Sequence, residues 1–366
     1  MNMNNELSKN EAKQILTSDL NTYLDLIKQI NQNKTNNKIT FSKNIFLPIT
    51  HICQNNCGYC TFKQEVNETK KLVMEEKEIF TQIQNAKKQG CTEALFAFGE
   101  SADKNENVME KLNNIGFESM VDYVYYLSDK ILTQYEILPH TNMGILSKNE
   151  LTYLSTVNAS MGLMLETTNK QLMKTIVHKD SPGKDPEKRL KFIKNAGKEK
   201  IPFTTGLLVG IGETIEDRVD SLFEIRKLHD KYNHIQEIII QNFKTKENIP
   251  MKDYPEPSVI ELLKLTILAS KMFPDVSIQI PPNLNQDLLL FFIMCGADDF
   301  GGISPITQDY INPETDWPAI RELEKNINSI NYTLKERLPV YDKYINKTYL
   351  KEKVYEKTIK LQKRIN

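Results

Sequence analysis

Ile45-Phe46-Leu47-Pro48-Ile49-Thr50 runs directly into His51-Ile52-Cys53-Gln54-Asn55-Asn56-Cys57-Gly58-Tyr59-Cys60, and this junction decides the fold. The apolar run reads as a short buried strand. The loop after it carries three cysteines in the spacing C-x3-C-x2-C, and Gly58 helps it to fold. A doubly wound open sheet would instead place a glycine-rich turn after its first strand. A strand that ends in chemistry-bearing residues is the pattern of a (βα)8 barrel, whose βα loops carry the site.

Downstream, strand candidates follow at Glu93–Phe98, Ile137–Asn142, Ser160–Leu165, Phe203–Val209, Ile235–Gln241 and Val276–Ile280, with a weak eighth near Ala297–Phe300. Helical patterns lie between them, for example Glu75–Gln89, Pro186–Ala196, Ile215–Tyr232 and Pro257–Met272. Pro186 and Pro257 fall at first-turn positions, where a missing N–H costs nothing. Eight such units in about 255 residues match the usual size of such a barrel. The expected architecture is α/β, a TIM-type (βα)8 barrel over residues 41–303. Residues 1–40, with one amphipathic stretch from Ala12 to Ile30, are an expected N-terminal helical extension. Residues 304–366 are an expected C-terminal helical segment packed on the barrel, with helices at Trp317–Ile330 and Tyr332–Ile359.

Of the 366 residues, 40% are hydrophobic and 26% charged, enough for a sizeable core and not the composition of a disordered chain. Forty-seven basic residues against 48 acidic ones leave a net charge of −1. No basic field draws the chain to nucleic acid or to an anionic membrane. The longest apolar run, Leu288 to Met294, falls well short of the roughly 20 residues a membrane helix needs. Met1 to Lys9 are polar and lack the apolar core of a secretory signal, so the expected location is the cytoplasm. Five cysteines, an odd number with three in eight positions, argue for a metal site in a reducing compartment rather than a disulfide framework. Cys91 and Cys295 stand alone beside apolar residues and read as core packing.

Two metals compete for the triplet. Zinc wants four closed ligands, with His51 the nearest fourth donor, but zinc loops favour paired spacings and no second pair exists here. A [4Fe–4S] cluster on three thiolates leaves one iron open to a small molecule. A non-catalytic electron carrier or scaffold would usually satisfy all four irons with protein thiolates, and the other two cysteines lie far off in sequence.

C-x3-C-x-aromatic-C directly after the first strand of a βα barrel resembles the signature of the radical S-adenosylmethionine (SAM) superfamily. The resemblance implies a [4Fe–4S] cluster on Cys53, Cys57 and Cys60, with SAM on the open iron. Reduction then splits SAM, and a 5′-deoxyadenosyl radical takes a hydrogen atom from the substrate. Cofactor contacts are implied at Tyr59, inside the motif, and at further strand ends. Gly99-Glu100 is similar to the glycine-rich strand-two motif that meets the SAM amino group, although one glycine stands here where many members have two. Glu166 is implied on the SAM ribose, its alternative role being a helix cap. Arg189, one of six arginines, is implied on the SAM carboxylate, against a surface alternative. Gly206, in the glycine-spaced fifth strand, is implied beside the adenine and methionine moieties. No Gly-Lys-Ser/Thr follows that strand, which excludes a phosphate loop.

Longer stretches resemble one family within that superfamily. These are Tyr59-Cys60-Thr61-Phe62, Ile201-Pro202-Phe203-Thr204-Thr205-Gly206, His234-Ile235-Gln236-Glu237 running on through Gln241-Asn242-Phe243, and Gly301-Gly302-Ile303-Ser304-Pro305. They are similar to the CofG family of 7,8-didemethyl-8-hydroxy-5-deazariboflavin (FO) synthase subunits over about residues 41–345. The resemblance implies a substrate supplied by a CofH-type subunit, the adduct of a 4-hydroxybenzyl fragment with a ribityl-diaminouracil. Its ring is closed with loss of ammonia to give the deazaflavin of coenzyme F-420. A ferredoxin or flavodoxin is the implied electron donor. CofH-like and menaquinone-pathway enzymes share the loop and barrel, and the Gly301–Pro305 and Thr204–Gly206 stretches favour CofG. Candidate substrate contacts are the polar groups read at strand ends: Thr205, Gln241, Asn242, Asp298 and Asp299. Each is equally suited to a turn or a cap.

Overall fold

Nine strands make one sheet in the computed structural model, which describes residues 7–33 and 36–365; Met1 to Glu6 of the polar N-terminal stretch lie outside them. They are β1 (Lys38–Thr50), β2 (Glu93–Phe98), β3 (Leu138–Asn142), β4 (Ser160–Gly162), β5 (Phe203–Val209), β6 (Ile235–Asn242), β7 (Ser277–Gln279), β8 (Asp299–Ile303) and β9 (Thr333–Arg337). Each of β1 to β8 pairs in parallel with the next, and β8 returns to β1. The first half of β1 meets β8 through Thr40–Lys43, and its second half meets β2 through Asn44–Thr50, which closes an eight-stranded barrel. Helices cover the outside, so strands such as β5 are buried at every position.

The helices start where their caps dictate. Pro186 is the first residue of the Pro186–Lys198 helix, behind an Asp185 cap. Pro257 is not a first-turn residue, a correction to the sequence reading. Ser258 and Glu261 cap each other reciprocally, so that helix runs Val259–Met272 and the proline stands before the cap. The leading amphipathic stretch is likewise two helices, Lys9–Thr17 and Leu20–Asn33. They break where the Asp19 side chain accepts the Thr22 amide at 2.8 Å and starts the second. Among the described residues no helix is long and apolar enough to cross a membrane.

The larger correction lies at the C-terminal end. Tyr332–Ile359 is not one helix. It opens with β9, which adds in parallel along Lys38–Ser42, followed by a short 3-10 turn at Asp342–Tyr344 and then the α-helix Glu352–Ile365. Thr333-Leu334-Lys335-Glu336-Arg337 carries too much charge to read as a strand, and pairing with the overhang of β1 overrides that composition. The residues after β9 cross the N-terminal end of the barrel. Ser160 Oγ and Gln236 Nε2 donate to the Pro339 carbonyl at 2.6 and 3.0 Å. Arg337 reaches inward, donating to both oxygens of Asp299 at 2.6 and 2.8 Å and to Glu237 Oε1 at 2.7 Å. Tyr341 donates its hydroxyl to the same Glu237 oxygen at 3.0 Å. Burial pushes the Glu237 carboxyl up, whereas for Asp299 the Arg337 guanidinium overcomes burial and holds the carboxyl low.

Candidate active site

At the C-terminal ends of the strands a cavity of about 260 Å³ opens. Its wall includes Cys53, Cys57, Tyr59 and Cys60, Gly99 and Glu100 after β2, Glu166 after β4, Arg189, and Gln241 and Asn242 at the end of β6. The three thiols are free and half-buried. The cysteine loop lies against the end of β2 because position 99 is glycine; a Cβ there would stand 2.0 Å from the Ile52 carbonyl oxygen. That approach lets the amides of Asn55 and Glu100 donate to the Cys53 sulfur at 3.4 and 3.2 Å, contacts that favour a thiolate. Burial nevertheless pushes the Cys53 thiol up, and that of Cys57 up to about 11, so metal loading has to displace protons.

His51 does not complete a zinc set. It is absent from the cavity wall, and its Nδ1 lies 2.7 Å from the Phe62 carbonyl oxygen. Among the described residues no three His, Cys, Asp or Glu side chains converge to hold one metal ion. A four-iron cluster meets its thiolates at separate irons and asks for no such convergence.

Glu166 organises the wall facing the thiols. Its backbone is left-handed at φ 68°, a strained conformation for a non-glycine residue of order 1–3 kcal/mol. Two bonds to β5 hold it there: Glu166 N donates to Gly206 O at 2.9 Å, and Leu208 N donates to Glu166 O at 3.2 Å. Its carboxylate accepts from the Tyr59 hydroxyl and pairs with Lys184 Nζ, while His178 Nε2 and Arg189 Nη1 lie 3.6 and 3.8 Å away. Burial pushes this carboxyl up, but Lys184, His178 and Arg189 outweigh it and hold Glu166 well below the usual carboxylate range. Arg189 is buried as well. Its Nε donates to Gly183 O at 2.8 Å and its Nη2 lies 3.4 Å from Glu100 Oε2. Glu100, Arg189, Glu166 and Lys184 thus form a buried chain of alternating charge beside the thiols.

Some sequence candidates lie elsewhere. Gly206 is mid-strand, where it positions Glu166 through its carbonyl instead of lining the cavity. Thr205 is fully buried, its Oγ1 accepting from Leu165 N at 3.2 Å. Asp298 and Asp299 sit at the opposite end of the barrel. The eighth strand begins at Asp299 instead of ending there, so Asp299 pairs with Arg337 on the floor and Asp298 Oδ1 accepts from Ile278 N at 2.8 Å. Cys91 and Cys295 are buried, away from the cavity, next to the Asn44 carbonyl and the Tyr23 hydroxyl respectively.

Sequence reasoning missed Lys184, His178 and Asn55. Asn55 spans the site, donating to Glu100 Oε2 at 3.1 Å and accepting from Gly183 N at 2.9 Å. Its place inside the cysteine loop was the available signal. Lys184 has none, since lysine is abundant in this chain. Lys246 is also nearly buried here; its Nζ bonds Ile311 O at 2.8 Å, Asn312 Oδ1 at 3.0 Å and Thr61 Oγ1 at 3.2 Å, tying the segment after β8 to the cysteine loop.

A family model described as the radical SAM superfamily matches residues 47–225. The 7,8-didemethyl-8-hydroxy-5-deazariboflavin synthase of Methanococcus maripaludis strain C5 is 52% identical over 353 residues, covering 96% of this chain and 99% of that protein. The protein of the same name from Methanocaldococcus jannaschii is 49% identical over 356 residues, covering 97% and 98%. Among solved structures, the FeFe-hydrogenase maturase HydG from Carboxydothermus hydrogenoformans matches with a TM-score of 0.73 at 17% identity, over 98% of this chain and 86% of that one. Methylornithine synthase (PylB) matches with a TM-score of 0.71 at 16% identity, over 90% and 94%. At those identities the likeness is one of fold.

Proposed function

This chain belongs to the radical SAM superfamily and, within it, to the 7,8-didemethyl-8-hydroxy-5-deazariboflavin synthase family; from that membership we propose how its residues divide the work. The enzyme closes the deazaflavin ring of coenzyme F-420 synthesis on a small-molecule substrate delivered by a partner subunit. Its family implies a [4Fe–4S] cluster and SAM. Cys53, Cys57 and Cys60 would hold the cluster, a reading supported by three free thiols on one cavity wall with two amides aimed at Cys53. When bound, the pair supplies a one-electron reduction and an organic radical for hydrogen abstraction.

The chain's own residues bind, orient and exclude water. Glu166, kept ionised, accepts the ribose hydroxyls. Arg189 offers its fork to the SAM carboxylate, and Glu100 and Lys184 balance the two buried charges. Gly99 and Glu100 present backbone to the amino group. Phe62 and Phe243 help keep the cavity dry. A ferredoxin or flavodoxin donates the electron. The observation that carries this reading is the single cavity uniting the cysteine triplet with the Glu100–Arg189–Glu166–Lys184 chain.

Two experiments test it. Reduced holoenzyme given SAM and 5-amino-5-(4-hydroxybenzyl)-6-(D-ribitylimino)-5,6-dihydrouracil should release a fluorescent three-ring product, 5′-deoxyadenosine, methionine and ammonium. Consumption of free tyrosine and the diaminouracil instead would make the chain CofH-like. SAM cleavage without consumption of any deazaflavin precursor would overturn the family-level activity. In the second experiment, Glu166→Gln and Arg189→Ala each remove a hydrogen bond to a charged group. SAM binding measured by equilibrium dialysis should weaken roughly 10- to 150-fold, with the cluster absorbance intact. Unchanged affinity in both variants would return these residues to helix-cap and structural roles.

A further inference from the structure

The catalytic cavity does not end at the thiols. Asn142, Leu163 and Met164 line both it and a second chamber, of about 130 Å³, inside the barrel. Arg337 and Pro339 of the floor segment line this chamber from below. The passage between the two regions changes character with depth. Nearer the thiols lies an apolar group, Phe46, Phe62 and Ala97, with Leu95, Tyr310 and Ile311 packed on it. Deeper, the wall is mixed: Asn44, Glu93, His140, Thr204, Glu237 and Gln279 bring polar groups in among Leu95, Leu163, Met164 and Ile239.

Three of these deep polar groups have protein partners. His140 Nδ1 lies 2.7 Å from Ser160 Oγ, Thr204 Oγ1 donates to Glu237 at 2.9 Å, and Glu237 faces Arg337. Asn44 stands apart from them. It is 1% exposed, yet neither its carboxamide nitrogen nor its carboxamide oxygen has a hydrogen-bond partner. A buried amide with both ends unpaired is rare and expensive, because each end has given up water for nothing. The space around it is kept by Gly302, where a Cβ would stand 2.1 Å from the Asn44 amide nitrogen. The unpaired amide has a donor and an acceptor to offer at once, the complement of a polyol's hydroxyls.

We propose that the chamber is the polyol subsite of the substrate, with Asn44 reading hydroxyls of the ribityl chain and the aromatic end held in the apolar region nearer the thiols. This rests on the function given above, and deepens it by fixing which end of the substrate lies deepest. Asn44 is thereby a specificity residue. A site built to hydrogen-bond a hydroxyl rejects an analogue lacking it far more strongly than an apolar pocket rejects a small change in size.

The test uses the cluster-loaded enzyme with SAM and no reductant, so that binding is read without turnover. Calorimetry compares the ribityl adduct with an adduct carrying a plain five-carbon alkyl chain. Wild-type protein should bind the ribityl compound at least about tenfold more tightly. Asn44→Leu should lose about that factor for the ribityl compound and keep its affinity for the alkyl one, so the ratio collapses towards unity. Gly302→Ala should move the ratio the same way while keeping the asparagine, which guards against a variant of Asn44 that does not fold. Equal weakening of both ligands in the two variants would make Asn44 merely structural. Unchanged ribityl binding in Asn44→Leu would mean that water serves the amide, and would also overturn the proposal. Adding reductant separates the two levels. Turnover of both adducts with no preference sinks the subsite and leaves the function standing; preferential ribityl binding with no deazaflavin formed sinks the function and leaves the subsite.

Discussion

Cys57→Ala protein, reconstituted anaerobically with iron and sulfide, is expected to keep the far-ultraviolet spectrum of the wild type and to lose the brown absorbance of the cluster. SAM cleavage should fall to background. The reasoning is local. Each thiolate supplies one iron bond, and three ligands leave no spare, so removing any one leaves the cluster labile. The fold does not depend on the loop, because the buried core is built from strands and covering helices and includes none of the three loop cysteines. Cys91→Ala is the matching control: that thiol is buried against the Asn44 carbonyl away from the cavity, and its loss should leave iron content at the wild-type level. An active, fully iron-loaded Cys57→Ala enzyme would refute the ligand assignment.

Arg337→Leu should be the most destabilising single substitution on the barrel floor. It leaves two buried carboxylates, Asp299 and Glu237, without their shared cation. Breaking a buried ion pair from one side typically costs about 3–5 kcal/mol, because the remaining charge is neither solvated nor paired. Urea unfolding at neutral pH should register a loss of that order. Combining Arg337→Leu with Asp299→Asn and Glu237→Gln should recover much of it, since the three groups act as one unit. The pH dependence has a definite sign. Without the guanidinium, the folded-state carboxyl pKa values stand above their unfolded values, so the folded state holds more protons and its stability falls as pH rises. The deficit relative to wild type should therefore shrink as the pH is lowered from 7 towards 5. A constant deficit, or one that grows in acid, would mean that packing rather than charge is at stake.

Both arginines that matter, Arg189 and Arg337, were visible as rarities in a lysine-rich chain, yet only Arg189, early in the helix after the fourth strand, stood where the resemblance drew attention. The difference measures what the sequence could convey. Periodicity and the cysteine spacing placed the barrel, most of its strands and the mouth of the site, because apolar runs must be buried and chemistry sits where strands stop. Glu166 and Arg189 lie at that mouth. Asp298 and Asp299 do not, because a two-residue error at the start of a short strand exchanges one end of the barrel for the other. β9 was hidden by its charges, and the carboxylates that pair with Arg337, Glu237 and Asp299, are far away in the chain. Lys184 and Asn44 carry no local signature. Their importance comes from what they face across the barrel, and no window of sequence contains that information.

Pairing of β9 with the overhang of β1 joins segments about 300 residues apart. On the ribosome, the first strand emerges long before the strand that lies beside it. Until then the floor is open and the carboxylates at its edge have water for company instead of Arg337. An ionised Asp299 and Glu237 resist being shut into a dry interior alone, so an early, partly made barrel is held from sealing around them. Contacts this distant in sequence also form slowly, because a long loop must be closed before they contribute anything. The residue that neutralises the interior is thus made only after all eight strands of the barrel, and the floor can close only once it has arrived.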